Sequence, residues 1–197
     1  NLRAYPLGKS VPLDLAALRG FATQMWYEGA EGIYLFNWMD SQTRPVSAAD
    51  YERLLREGLE PAALAGRERR HVVTYIDTAP RGFPTGVQLP LSGRPGGTVR
   101  VAAGPGAGDG AAWLVAGLAP SSTAATARLQ VTLNGRPLAA GPDREEVTIL
   151  GGVGRALRFA CPPGSVRAGL NEVRLAQEDD GPAQAIVWVE LHVVGAR

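Results

Sequence analysis

The hydrophobic period of this sequence changes near residue 70, and that change limits the folds that the chain can adopt. Before it, apolar residues recur every three or four positions, as at Leu15, Leu18 and Ala22, which is the spacing of one helix face. After it, apolar and polar residues alternate, and turn-forming Gly and Pro become frequent. The sequence therefore predicts a helical segment followed by a region of short antiparallel strands.

The helical segment is predicted to contain two main helices. The first should run from about Leu13 to Glu28, with Gly29 suited to the position after its C-terminus. The second should run from about Ala48 to Glu57, with Ser47 as its N-cap, and a short further turn should open at Pro61. The buried stripe of the first helix is predicted to comprise Leu15, Leu18, Phe21, Ala22 and Met25.

Ten residues between the two helices, Gly29 to Trp38, combine a Gly-Ala-Glu-Gly turn with the apolar run Ile33-Tyr34-Leu35-Phe36. A run that is apolar on both faces is typical of a strand in a parallel sheet that helices cover. Because such a strand needs partners for its backbone and for both faces, we expect upstream chain, a partner chain or a second copy to supply them. Helix, turn and strand in this order predict one step of an α/β barrel.

The remainder of the chain is predicted to form about nine short strands. Asn134-Gly135 is a two-residue hairpin signal within this region. Antiparallel sheets commonly pack one face and expose the other, so these strands predict a β-sandwich, in particular a jelly roll. The predicted strands cover residues 71–77, 86–91, 98–102, 111–119, 127–134, 147–150, 156–161, 171–176 and 185–194.

Composition argues against several classes of function. A net charge of +1 gives no general attraction to nucleic acid or to a membrane surface, and no apolar stretch approaches twenty residues. Cys161 is the only cysteine, so we expect a buried small hydrophobe, with neither an intrachain disulfide nor a Cys-based zinc site. His71 and His192, the only histidines, have no second ligand at metal spacing, so neither a metal nor a cofactor is predicted.

Two loops have a polar or glycine-rich composition that a ligand could use. Residues 178–181, Glu-Asp-Asp-Gly, could bind calcium with loop carbonyls, but a polar hairpin is the favoured interpretation. Residues 104–110 are rich in Gly but lack the Lys-Ser/Thr of a phosphate-binding loop, so we predict a flexible loop. The sequence opens on Asn1 rather than Met, so we expect a processed or cut chain, and a secreted or periplasmic location stays open.

Two regions resemble parts of known families. The run from Gly29 to Trp38, with the closing helix and the Gly-Arg-Glu-Arg-Arg-His-Val-Val exit at 66–73, resembles the last βα unit of TIM-barrel glycoside hydrolase-like proteins. Segments 131–138, 170–175 and 187–191 resemble the galactose-binding-like jelly rolls that accompany carbohydrate-active enzymes. The resemblance implies an α+β chain: residues 1–68 as the last βα portion of a (β/α) barrel, and residues 69–197 as an antiparallel β-sandwich.

The same resemblance implies a function for the parent protein. It would be carbohydrate-active and glycoside hydrolase-like, with the sandwich buttressing the barrel. Glycosidases need two carboxylates that flank the scissile bond, and no convincing pair occurs here, so these groups are expected upstream and the enzymatic status of this chain is left open. The alternative is a non-catalytic carbohydrate-binding or structural β-sandwich module. Carbohydrate is the expected ligand, and an upstream barrel segment or partner chain is the expected partner.

Four residues are predicted to contact substrate. Asn37, Trp38 and Asp40 follow the predicted barrel strand, and barrel chemistry is built at the C-terminal ends of strands. Asn37 could bind a sugar hydroxyl and Trp38 could stack on a pyranose, although Asn37 could instead hold the loop and Trp38 could pack on the sandwich. Trp188 lies on the polar face of its strand, so it either meets ligand or covers the barrel. With Trp113 it could form a stacking platform.

Overall fold

The computed structural model describes residues 3–4, 11–12, 14–35, 47–73, 88–107, 110–121, 124, 126–143 and 153–195. Three helices lie in the first part of this range: α1 (Leu15–Tyr27), α2 (Ala48–Glu57) and α3 (Pro61–Leu64). The strands are β1 (Arg3–Ala4), β2 (Val11–Pro12), β3 (Arg69–Val72), β4 (Leu91–Ser92), β5 (Gly97–Ala103), β6 (Ala112–Leu118), β7 (Leu129–Leu133), β8 (Arg136–Pro137), β9 (Ala139–Ala140), β10 (Arg155–Cys161), β11 (Gly169–Gln177) and β12 (Ala185–Val193).

Two antiparallel sheets face each other and form the predicted β-sandwich. One has the strand order β3-β12-β6-β10-β9, with β4 also paired to β12, and the other has the order β5-β11-β7-β8. Strands β1 and β2 form a separate antiparallel pair. Alternate residues from both sheets fill the space between them, and Val101, Leu133, Phe159, Leu175 and Leu191 are each at most 2% exposed. The sandwich core therefore draws on strands from the whole length of the β-rich region.

The turn between β7 and β8 shows how local sequence sets the register of the smaller sheet. Asn134 and Gly135 both have positive φ, at 51° and 80°, which is the conformation of a type I′ hairpin turn. Asn134 also accepts a hydrogen bond from the backbone N–H of Glu172 at 3.0 Å, which joins the turn to β11. The hairpin that Asn134-Gly135 predicts is confirmed.

Helix α1 covers the edge of the sandwich where β3 and β5 lie side by side. It contacts both strands, each of which ends the order of its own sheet. The approach to β3 is close because Gly20 has no side chain: a Cβ there would collide with the carbonyl oxygen of Arg70. A helix in this position protects backbone groups that an edge strand would otherwise offer to another chain.

The buried side of α1 differs in part from the predicted stripe. Leu15, Leu18 and Ala22 are buried as predicted, but Phe21 is 39% exposed. Small and polar side chains take its place, since Ala17, Arg19 and Thr23 are also buried. The reason is the close approach at Gly20, which brings the neighbouring small residues against the sheet and turns the large Phe21 ring outward.

Strand β12 corrects a second expectation, which is that alternation leaves one face of this strand solvated. Trp188 is 1% exposed and Glu190 is fully buried, so the prediction of a solvated face is wrong for Glu190, and Trp188 is packed rather than open to a ligand. The outer face of the larger sheet carries a second apolar cluster, in which Trp188 packs with Ala17 of α1 and with Val153. The helical part of the chain thus covers part of the sheet that alternation alone predicts to be solvated.

The apolar run after α1 joins no sheet within the part that the structure describes. Residues 30–35 are outside the helices and strands, and the Tyr34 side chain is 85% exposed. The remaining residues of the predicted barrel strand, Phe36 to Trp38, lie outside the described residues. Among the described helices, none combines the length and the apolar character that crossing a bilayer requires.

Candidate ligand-binding cleft

A cleft of about 640 Å³ lies at the junction between the helices and one end of the sandwich. Its volume is within the range of about 300–1,000 Å³ that small-molecule sites have. The end of α1, the segment from α3 to β3, the loop between β5 and β6, and the end of β12 form its walls. The lining residues are Thr23, Trp26, Tyr27, Pro61, Leu64, Ala65, Gly66, Arg67, Arg69, Pro105, Gly106, Gly110, Ala111, Val193, Val194 and Gly195.

The aromatic wall of this cleft comes from the last turn of α1. The Trp26 indole Nε1 donates to the carbonyl oxygen of Leu59 at 2.7 Å, which fixes the plane of the ring. Tyr27 is 51% exposed. Thr23 packs directly on Gly104, where a Cβ would collide with the threonine side chain. These contacts hold the aromatic wall in place relative to the sandwich.

The charged residues among the described lining are both arginines. Arg69 is 4% exposed, and its guanidinium donates to the carbonyl oxygen of Pro105 at 2.8 Å. The Arg67 side chain is 50% exposed, with Nη1 at 3.5 Å from Glu57, whose other oxygen lies 3.0 Å from Arg19. The Glu57 charge is therefore shared between Arg19 and Arg67, so among the described residues positive charge outweighs negative around Glu57.

A buried ion-pair network lies on the other side of β3 and joins α1 to the sandwich. Arg70, 2% exposed, donates from Nε and Nη2 to Glu190 Oε2 at 3.0 and 2.5 Å, and from Nη1 to Asp14 Oδ2 at 2.7 Å. Asp14 is also the N-cap of α1, since its Oδ1 accepts from the N–H of Ala17 at 2.9 Å. The Trp188 Nε1 donates to Glu190 Oε2 at 3.0 Å. We call Asp14, Arg70, Trp188 and Glu190 the joint.

The electrostatics of the joint keep its arginine charged. Burial by itself lowers the pKa of Arg70, but the charges and hydrogen bonds of Glu190 and then Asp14 act in the opposite direction and leave the pKa above its ordinary value. The guanidinium also lies 5.9 Å from the centre of the Trp188 ring. A buried pair of this kind is strongly destabilised when one partner alone is removed.

His71 is a buried polar group for which the described residues provide no hydrogen-bond partner. It is 3% exposed and lies on the inner side of β3, where neither ring nitrogen has a partner. Burial lowers the pKa of His71 to about 3, and the neighbouring Arg69 charge adds to this effect. The imidazole is therefore neutral at physiological pH.

The structure places only one of the four predicted substrate-contacting residues. Asn37, Trp38 and Asp40 lie outside the described residues, so their roles stay predictions. Trp188 is 1% exposed and packs with Ala17 of α1, so its ring does not present a face for stacking on a sugar. Trp113 is partly buried, and the guanidinium of Arg158 lies 4.1 Å from its ring centre.

Other polar groups singled out in the sequence have local structural partners. Asp179 accepts from the N–H of Arg128 at 2.9 Å, from Gln177 and from the N–H of Gly181, and these bonds, the first above all, lower its pKa. Burial raises the pKa of Cys161 to about 11, as suits a residue of the core. The described residues contain no group of three or more His, Cys, Asp or Glu side chains placed to hold a metal ion.

Sequence reasoning missed the cleft because four separated segments build it. One local signal was available: Trp26-Tyr27 at the end of an amphipathic helix places two aromatic rings where the chain turns. Comparison with known proteins adds no assignment, since no protein-family model matches the sequence and no curated protein matches it.

Proposed function

We propose that this chain is the C-terminal segment of a carbohydrate-active, glycoside hydrolase-like protein, in which the sandwich buttresses the last part of a (β/α) barrel. The joint is the observation that carries this proposal. It links the first turn of α1 to the edge and the second strand of the larger sheet through a buried Arg70, which ties the helix to the sandwich by charged hydrogen bonds. A buttress needs this rigid connection, whereas a tethered module does not.

The surface of the helical segment supports the same proposal. A groove of about 370 Å³ is lined by apolar residues that include Ile33, Leu35, Tyr51 and Leu54. Next to it Leu55 is 67% exposed. Apolar side chains at this density suit packing against further barrel elements, which would also pair the run that begins at Ile33. The catalytic carboxylates would then lie upstream of residue 1.

The strand order of the sandwich supports the jelly-roll part of the proposal. From β4 to β7 and from β10 to β12 the chain alternates between the two sheets, and β12 lies between β3 and β6 in one sheet just as β11 lies between β5 and β7 in the other. Such nesting is what a jelly roll, built from two Greek keys, would give. It is the class of sandwich to which the sequence resemblance points.

The complete gene product tests the proposal. We expect it to release reducing sugar from at least one member of a panel of polysaccharides and labelled oligosaccharides, and to unfold in a single thermal transition that includes the sandwich. The Arg70→Met variant should lower the temperature of that whole transition. A complete gene product that neither hydrolyses nor binds any glycan, or whose sandwich melts separately from the rest, would contradict the proposal.

A purely structural sandwich module is the second candidate, because the described glycan-stacking surfaces are limited. The outer face of the smaller sheet presents Thr98, Arg100, Gln130, Glu172 and Arg174, with no aromatic ring among its described residues. Trp188 is buried and Trp113 carries an arginine over its ring. Glycan binding by this chain that is lost in Trp113→Ala would favour a carbohydrate-binding module over a structural one.

A further inference from the structure

The cleft between α1 and the sandwich is a formed cavity rather than a gap between loosely packed parts. The Trp26 ring is held by Leu59, the Arg69 guanidinium by Pro105, and Thr23 packs on Gly104. Walls fixed in this way do not need to be ordered by a ligand, which lowers the entropic cost of binding.

The chemistry of the lining is uneven. Apolar and aromatic groups form most of the wall, including Trp26, Tyr27, Leu64 and Val193, whereas the charged groups among the described lining residues are arginines. The Arg67 side chain is half exposed at the mouth, and its contact with Glu57 is long at 3.5 Å. Since Arg19 lies closer to Glu57, at 3.0 Å, Arg67 can turn its donors to a ligand without leaving a carboxylate unpaired.

We propose that this cleft binds a small amphipathic anion, whose apolar, ring-containing body packs against Trp26 and Tyr27 and whose acidic head contacts the guanidinium of Arg67. An apolar wall with one convergent cationic group is the usual composition of a site for such a molecule. Arginine forms charge-assisted, often bidentate hydrogen bonds with carboxylates, sulfonates and phosphates. The inference does not depend on the parent being a glycoside hydrolase.

Two fluorescent probes that differ in charge test the proposal on the full chain. The anionic probe is 8-anilinonaphthalene-1-sulfonate, and the neutral one is N-phenyl-1-naphthylamine, which has the same aromatic body without the sulfonate. We expect saturable binding of the anionic probe at one site per chain. Arg67→Gln should weaken it by about tenfold, as expected for the loss of one charge-assisted hydrogen bond. The neutral probe should be affected less than about twofold by the same change.

Matched variants locate the site. Val194, 38% exposed, lines the cleft, so Val194→Trp should fill it and abolish binding of both probes. Leu55→Trp places the same ring on the neighbouring apolar groove, which shares Trp26 with the cleft but not Tyr27 or Arg67, and it should leave binding unchanged. Tyr27→Ala, at a half-exposed helix end, provides a second test of the cleft that does not depend on Val194→Trp folding correctly. Circular dichroism verifies the fold of each variant.

Three outcomes would overturn the proposal. One is the absence of saturable binding at one site per chain. Another is loss of binding in Leu55→Trp while Val194→Trp or Tyr27→Ala still binds, which would place the probe in the other groove. The third is an equal response of the two probes to Arg67→Gln, which would remove the argument for an acidic head.

Discussion

Acid should destabilise this protein through His71, and replacing that residue should remove the effect. Between pH 6.5 and about 3 the unfolded chain carries a proton on this imidazole, whereas the folded chain does not. Because the unfolded state binds more protons, the free energy of unfolding falls as the pH falls through 6.5. The free energy of unfolding is therefore free of this loss only above pH 6.5, where the His71 ring is neutral in both states.

The size of the effect follows from the two pKa values. With an unfolded pKa of 6.5 and a folded pKa of about 3, lowering the pH from about 7.5 to about 4.5 removes about 2.5 kcal/mol of stability through this residue. His71→Leu has no ring to protonate, so it should not lose this contribution. It also replaces two unsatisfied buried nitrogens by an apolar group, which should leave its stability at neutral pH equal or higher.

Urea denaturation at a series of pH values, followed by tryptophan fluorescence, gives the free energy of unfolding of the unsubstituted protein and of His71→Leu. Carboxylates contribute equally to the two pH profiles, so the difference between them isolates His71. With only two histidines in the chain, NMR can also follow the imidazole directly, and His71 should show no titration down to pH 5. Profiles that stay parallel to within about 0.5 kcal/mol, or a His71 resonance that titrates near 6.5, would refute the argument from burial.

Three further predictions concern the contact between α1 and the sheet, each measured as a change in the free energy of unfolding. Arg70→Met should cost about 3–5 kcal/mol because it removes one partner of the buried Arg70–Glu190 pair, and adding Glu190→Met should restore most of the loss; a double variant as unstable as the single one would contradict this. Gly20→Ala should cost about 1–3 kcal/mol despite the better helix propensity of Ala, whereas Gly32→Ala, with open space around it, should be nearly neutral. Asp14→Ala should cost about 1–2 kcal/mol more than Asp14→Asn, since Asn keeps the N-cap, and equal losses would argue against the cap.

Local signals in the sequence were sufficient for elements that local interactions hold. Helix α2 begins where Ser47 predicts, because its Oγ accepts from the N–H of Asp50 at 3.1 Å. The hairpin at Asn134-Gly135 needed only two residues that accept positive φ. The alternation of Leu129, Val131 and Leu133 likewise identified the buried face of β7. The helix cap and the turn conformation need only neighbouring residues, and alternation alone marks which face of β7 is buried.

Features that depend on distant residues could not be found in this way. Trp188 and Glu190 have the pattern of a solvated face, and they are buried because α1 covers them and Arg70 neutralises the carboxylate from 120 residues away. A hydrophobic period shows which residues share a face but not what packs on it. The cleft is a stronger case, since its walls come from four segments whose relative positions follow only from the fold. Sugar contact is also predicted for Asn37, Trp38 and Asp40. These residues lie outside the described part of the chain, so their roles remain untested predictions.

The position of β12 has a consequence for the order in which the protein can be assembled during synthesis. This strand, the last one described, lies between β3 and β6 and also pairs with β4, so the larger sheet stays in three pieces until residues 185–193 have left the ribosome. Until then Arg70 lacks Glu190, and α1 lacks part of the surface on which it docks. The helix is made early but is buried late, and a ribosome-bound chain that stops short of β12 should expose the side of α1 that the complete protein hides.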